Sequence, residues 1–185
     1  TRTKPSRLSR SIAISQTFWD IPVINYQDQR EGIVLKQTKL TSATPEELAG
    51  IMQRIDSTDY KMVRHNIVTH IEKDIGRIRF KDIRGIIVGM AQDDFSAKPK
   101  KKSTFYNCIV LIVRIHTHGK FKEFHVKVFN TGNMEFPGVQ DDMDFNRVAK
   151  IVCDGLNIAE KCAASTNPPV TEDGSASQIQ PDHVP

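Results

Sequence analysis

The chain has 185 residues, 38% hydrophobic and 26% charged, with a net charge of +4. That length holds one ordinary domain with unfolded ends, and three cysteines without a C-x-x-C pair argue against a secreted disulfide framework or a zinc ribbon. Thr1–Arg10 is polar and basic with no apolar stretch behind it, and the longest apolar run, Ile109–Val113, is too short to span a bilayer, so an intracellular protein off the membrane is expected.

Arg2, Lys4, Arg7 and Arg10, with no acid among them, make residues 1–16 read as a flexible basic arm. Phe18, Trp19 and Tyr26 read as packing anchors rather than a base-stacking platform. Ile33–Leu40 is a strand. Thr44-Pro45-Glu46-Glu47 then signals a helix: Thr44 caps, Pro45 takes the first position without losing a needed donor, and Glu47 closes a capping box. Leu48, Ile51, Met52 and Ile55 follow at i, i+3, i+4, i+7 as its apolar stripe.

Met62–Ile71 and Arg77–Met90 read as strands, the second on Ile83, Ile86, Ile87 and Val88. Lys98-Pro99-Lys100-Lys101-Lys102 is a loop, because proline interrupts it and like charges repel. Phe105–Ile115 and Phe121–Phe129 are strands joined at Gly119, and Thr131-Gly132-Asn133 turns tightly into Met134–Phe136. Asp141, Asp142 and Asp144 gather where a helix dipole favours acids, and Phe145, Val148, Ile151, Val152 and Leu156 supply that helix's stripe. From Ala163 onward there is no Lys or Arg and too little apolar surface to order the chain, so residues 162–185 read as a disordered tail and 17–161 as the domain. Antiparallel strands followed by a helix give an α+β fold, an antiparallel sheet with helices on one face.

Period-two alternation sorts the strands into two sides. Phe124, Val126, Val128, Ile109, Leu111, Val113 and Ile115 belong under the helices. The other side carries Glu123, His125, Lys127, Phe129, Tyr106, Cys108, Val110, Ile112 and Arg114, a mixed basic and apolar surface that suits a partner. From Arg77 to Lys127 twelve Lys or Arg face four Asp or Glu, and that surplus suits a polyanion.

The segment Val126–Val139, V-K-V-F-N-T-G-N-M-E-F-P-G-V, resembles the A-L-I-F-S-S-G-K-M-V-C-T-G-A segment of the TATA-box-binding-protein repeat; Phe129, Gly132, Met134 and Gly138 coincide without a gap. Val113-Arg114-Ile115 is similar to the M-R-I that ends the preceding strand there. The series F-K-D-I-R, K-K-K-S-T-F-Y-N-C, F-K-E-F-H-V-K-V-F-N-T-G looks closer still to the members carried by large double-stranded DNA viruses, and the likeness covers about sixty residues, roughly Phe80–Val139. The resemblance implies one lobe of a saddle, whose concave sheet face enters the minor groove and wedges phenylalanines between base steps. It implies a transcription-initiation factor that meets A/T-rich double-stranded DNA and the transcription machinery, in a host nucleus, a viral factory or a virion.

Carried over, Phe129 matches a wedge and Arg114 a basic residue of the DNA-facing strand; Lys127, His125 and Tyr106 share that face, and Lys100, Lys101 and Lys102 add charge beside it. Cys108 stands where the second wedge would, and Glu135 and Pro137 replace a valine and a threonine. A carboxylate at Glu135 opposes a polyanion unless it is paired. The family's saddle has two repeats and this chain shows one, so Val110 and Ile112, left without cover, point to a homodimer or a second-lobe partner. Either Ile33–Ile55 supplies the repeat's own first strand and helix, with an insertion before Phe105, or Arg84–Met90 is that strand.

His116, His118 and His125 lack the ligands to complete a metal site, and no Walker loop, G-x-S-x-G or dinucleotide fingerprint is present. No catalytic residue, metal or cofactor is expected. Two classes remain: a DNA-binding factor, or a protein-interaction scaffold that kept the lobe and lost groove binding.

Overall fold

The computed structural model describes residues 3–59, 61–73, 76–77, 79–98 and 104–166, the last six as helical backbone. Its strands are β1 (Thr3–Arg7), β2 (Gly32–Ser42), β3 (Val63–Ile71), β4 (Lys81–Gly89), β5 (Cys108–Thr117), β6 (Lys120–Phe129) and β7 (Asn133–Pro137). The helices are α1 (Ile14–Asp20), α2 (Pro45–Ser57) and α3 (Asp142–Thr166), with a 3-10 turn at Gln92–Phe95. The strands form one antiparallel sheet in the order β1-β7-β6-β5-β2-β4-β3.

The helix starts obey the local chemistry read from the sequence. Thr44 Oγ1 accepts from the Glu47 N–H at 3.2 Å, and Glu47 Oε2 reaches back to the Ala43 N–H at 2.7 Å, so Glu47's side chain bonds one residue before the cap. Asp141 Oδ1 accepts from Met143 and Asp144 N–H groups at the start of α3, which holds its carboxyl below the usual carboxylate range.

One core joins the elements. Phe18 of α1, Ile55 of α2 and Val148, Val152, Leu156 and Ala159 of α3 pack on Ile109, Leu111, Val113, Ile115, Phe124, Val126, Val128, Met134 and Phe136. All three helices therefore lie on one side, the helix face, and the α+β layout holds. The other side is the open face. No helix among the described residues is long and apolar enough to cross a membrane.

The N-terminal stretch departs from the expectation of a flexible arm. Thr3–Arg7 pairs along its whole length with β7, and Pro5, which lacks a donor, is tolerated because the strand is an edge. Lys4 bonds Asp142 and lies 5.2 Å from the Phe145 ring centre, and Arg10 meets Glu160 at 2.7 Å. The Leu8 N–H donates to the Gly132 carbonyl at 2.8 Å, and Gly132 has φ +86° with the Arg10 carbonyl so close that a side chain has no room. Lys4 and Arg10 serve the fold through acidic partners on α3. The expected tail begins later than position 162, because α3 runs to Thr166; the residues after it lie outside those described.

α1 is the element the pattern missed. Its clamp is Lys36, on the helix-face side of β2, whose Nζ donates to the Trp19 and Ile21 carbonyls at 2.9 and 2.7 Å and sits 5.1 Å from the Phe18 ring centre. An ammonium there meets the negative end of a helix, yet burial pulls its pKa down to about 8. Between about pH 8 and the ordinary lysine value of 10.5, the folded chain holds fewer protons at Lys36 than the unfolded chain, so stability from this group rises with pH across that window. Urea denaturation is expected to show the wild type gaining on Lys36→Met through that interval and running parallel to it below it.

Candidate nucleic-acid interface

The β5–β6 hairpin sets the open face. Its register pairs Cys108 with Phe129, Val110 with Lys127, Ile112 with His125 and Arg114 with Glu123, so each pair projects to one side. The buried residues between them, Phe124, Val126 and Val128, fix that parity from below. Phe129 and Lys127 are half-buried and His125 is exposed, on the side alternation assigns them.

Tyr106 reaches the open face by a different route. β5 begins at Cys108, so Tyr106 sits in the turn before it, 54% exposed, with Lys39 Nζ of β2 5.0 Å from its ring centre. Phe105, 62% exposed, takes Lys127 Nζ at 5.5 Å from its centre. These are cation–π contacts, and they raise two aromatic rings beside Cys108. Cys108 itself is fully buried and burial pushes its thiol up to about 11, so it fills space rather than reacting.

Glu135 is paired: its Oε2 accepts from Lys127 Nζ at 3.2 Å, across the β6–β7 register. The carboxylate is offset, and so is the lysine. Both partners keep substantial exposure, which makes the pair worth little to stability.

Arg114 corrects the sequence reading. It is only 6% exposed, and its guanidinium donates to the carbonyls of Tyr26 at 2.8 Å, Arg30 at 3.2 and 3.1 Å, and Asp28. Its charge lies between the Tyr26 and Phe121 rings, 5.2 and 5.1 Å from their centres, and Tyr26 in turn stacks on Phe95 at 4.7 Å. Arg114 therefore pins the 26–30 loop over the open face, and no surface is left for phosphate. A second cover lies beside that loop: Ile24 before it and Ile87 of β4 pack on Val34, Leu35, Ala91 and Ile112, and Val110 is buried too. The apolar positions expected to lack cover are covered by this chain, which removes that reason for a homodimer. Lys100, Lys101 and Lys102 lie outside the described residues.

Sequence reasoning missed the far side of the open face. β2 and β4 pair Lys39 with Gly85 and Gln37 with Ile87, and β4 and β3 pair Gly85 with Asn66. A hollow of about 370 Å³ lies here over Gly85, lined by Gln37, Lys39, Asn66, Val68, Ile87 and Thr104. The β2 bulge between Ile33 and Leu35 shifts the parity, so simple alternation from Ile33 would have placed Gln37 and Lys39 under the helices.

No protein-family model, curated protein or solved structure matches the chain. On the helix face, the buried Asp82 accepts from Arg84 Nε at 2.9 Å and meets His70 Nδ1 at 2.8 Å, a hydrogen-bonded cluster joining β3 to β4. Among the described residues no group of three or more His, Cys, Asp or Glu is placed to hold a metal.

Arg114→Met strips the bonds from three loop carbonyls and is expected to cost about 2–4 kcal/mol in urea denaturation, since hydrogen bonds to a buried charge are lost and their acceptors stay buried. A variant of unchanged stability that binds DNA more weakly would put Arg114 back in the interface.

Proposed function

We propose that this chain is a non-enzymatic DNA-binding protein of TATA-box-binding-protein type, whose open sheet face meets the minor groove of A/T-rich duplex DNA in transcription initiation, as in the members carried by large DNA viruses. The observation that carries the reading is the β5–β6 register: it puts Phe129, Lys127 and His125 on the face opposite the helices, beside exposed Phe105 and Tyr106. A sheet with aromatic rings and ammonium groups on its free side suits a groove that must be opened and whose walls are phosphate. Further support comes from β2 lying next to β5 and running into α2: the repeat's first strand and helix then fall at Ile33–Ile55, and β3–β4 is the insertion.

A second reading has its own observation. Lys127 is paired with Glu135 and Arg114 is enclosed, which leaves less positive charge on the open face than the sequence promised. A scaffold that binds protein through the same aromatic rings accommodates that.

Phe129→Ala separates the two. A half-buried ring on the open face costs about 1 kcal/mol on truncation, against the 3–5 kcal/mol of a core phenylalanine. In the DNA reading, bending measured by energy transfer between labelled duplex ends collapses in the variant while salt-dependent non-specific binding persists, because phosphate contacts do not need the wedge. A wild type that binds duplex without bending it, with Phe129→Ala altering only the melting temperature, contradicts the minor-groove reading and favours the scaffold.

A further inference from the structure

The open face is not uniform across its strands. One crosswise row runs Phe129–Cys108 in the β6–β5 register and Lys39–Gly85–Asn66 in the β2–β4–β3 register. The two halves meet because β2 and β5 pair Gln37 with Val110, two residues along from Lys39 and Cys108, and Thr38 Oγ1 donates to the Cys108 carbonyl at 2.9 Å. Four strand spacings of about 4.8 Å separate the ends, so Phe129 and Asn66 stand roughly 19 Å apart, or five to six base-pair rises of about 3.4 Å.

The near end and the middle of the row are aromatic, with the exposed rings of Phe105 and Tyr106 against the Lys127 and Lys39 ammonium groups. The far end is concave, because Gly85 has no side chain. Asn66 leans into that gap: a Cβ on Gly85 would come 2.7 Å from its Oδ1. The hollow thus has a carboxamide at its wall, Gln37 and Thr104 at its side and the Lys39 ammonium between it and the aromatic ridge.

Minor-groove edges differ in one respect. A·T and T·A pairs present acceptors alone, whereas a G·C pair adds the guanine amino group, which stands up from the groove floor and donates. A flat or convex protein surface collides with that group. A hollow with a carboxamide admits it, since the amide oxygen accepts from the amino group while its NH2 donates to the neighbouring ring acceptor.

Resting on the minor-groove reading above, we propose that the Gly85–Asn66 hollow is a base-reading subsite that accepts a G·C pair about five pairs from the Phe129 kink, within an otherwise A/T-preferring footprint. Its two defining residues, Gly85 and Asn66, sit on the β3–β4 hairpin that this reading treats as an insertion, so it is a specificity element of this chain rather than of the repeat.

The test is equilibrium binding of the full chain to A/T duplexes in which one G·C pair is walked through the footprint, with the kink located by end-label energy transfer. The wild type is expected to tolerate or prefer G·C at one position, about five pairs from the kink, and to reject it elsewhere. Asn66→Ala removes the acceptor. Gly85→Ala puts a methyl group where the Asn66 carboxamide sits and displaces it; Asn66 is exposed and its amide can swing aside, so the strand should accommodate the change, which circular dichroism and melting verify. Both variants are expected to turn that position into a rejected one by about tenfold, with A/T binding and salt slope unchanged. A wild type that binds and bends duplex yet rejects G·C equally at every position overturns the subsite and leaves the minor-groove reading standing. So does a folded pair of variants with the wild-type profile. A wild type that binds no duplex overturns both.

Discussion

β5 is buried from Cys108 to Ile115, residue by residue, and the rest of the molecule is arranged to make that possible. A strand covered on both faces needs apolar material above and below it and a partner on each edge. α1 and α3 cover one side, β2 and β6 occupy the edges, and Ile24 and Ala91 cover part of the other side. Holding that last cover in place requires a cation whose donors can satisfy several loop carbonyls at once, and the planar fork of Arg114 does this where a lysine point charge would not. With the middle strand enclosed, the open-face residues that reach solvent lie on the flanks: the β6 side with Phe129, Lys127 and His125, and the β2–β4–β3 side with Lys39 and Asn66.

Several of the basic side chains among the described residues are engaged within the fold. Lys4 and Arg10 bind α3's acids, Lys36 closes α1, Arg64 reaches Asp94 at 2.9 Å and the Gly89 carbonyl at 3.0 Å, and Lys127 meets Glu135. Within the Arg77–Lys127 stretch, Arg84 pairs with Asp82, Arg114 is enclosed and Lys127 meets Glu135. Exposed, paired charges dissociate at little cost in water, so Lys127 can leave Glu135, whereas Arg114 and Lys36 cannot leave without unfolding their surroundings.

The residues show why some of this was legible and some not. Thr44-Pro45-Glu46-Glu47, the alternation of Phe124, Val126 and Val128, and the acids before α3 are short-range signals whose chemistry acts within one turn or one hairpin, and each element formed where expected. β1 was invisible because an edge strand needs no apolar side, so T-K-P-S-R carries no strand pattern. α1 has only 7 residues and owes its stability to Lys36 and the Phe18 contact, both tertiary. Arg114 was placed on the correct face, but whether a face is solvent or buried under a loop depends on contacts more than eighty residues away in sequence. The hollow over Gly85 depended on a bulge in β2 that shifts parity by one, an event with no local signature.

The central claim is that the open face, and not the helix face, receives DNA. Amide and side-chain NMR shifts on titration with a short A/T-rich duplex map this directly. The account predicts perturbations at His125, Lys127, Phe129, Tyr106, Lys39 and Asn66, with α2 and the outer surface of α3 silent and with Arg114 moving only as part of its loop. Perturbations confined to α2 and α3, or none at duplex concentrations that saturate comparable DNA-binding domains, would contradict it.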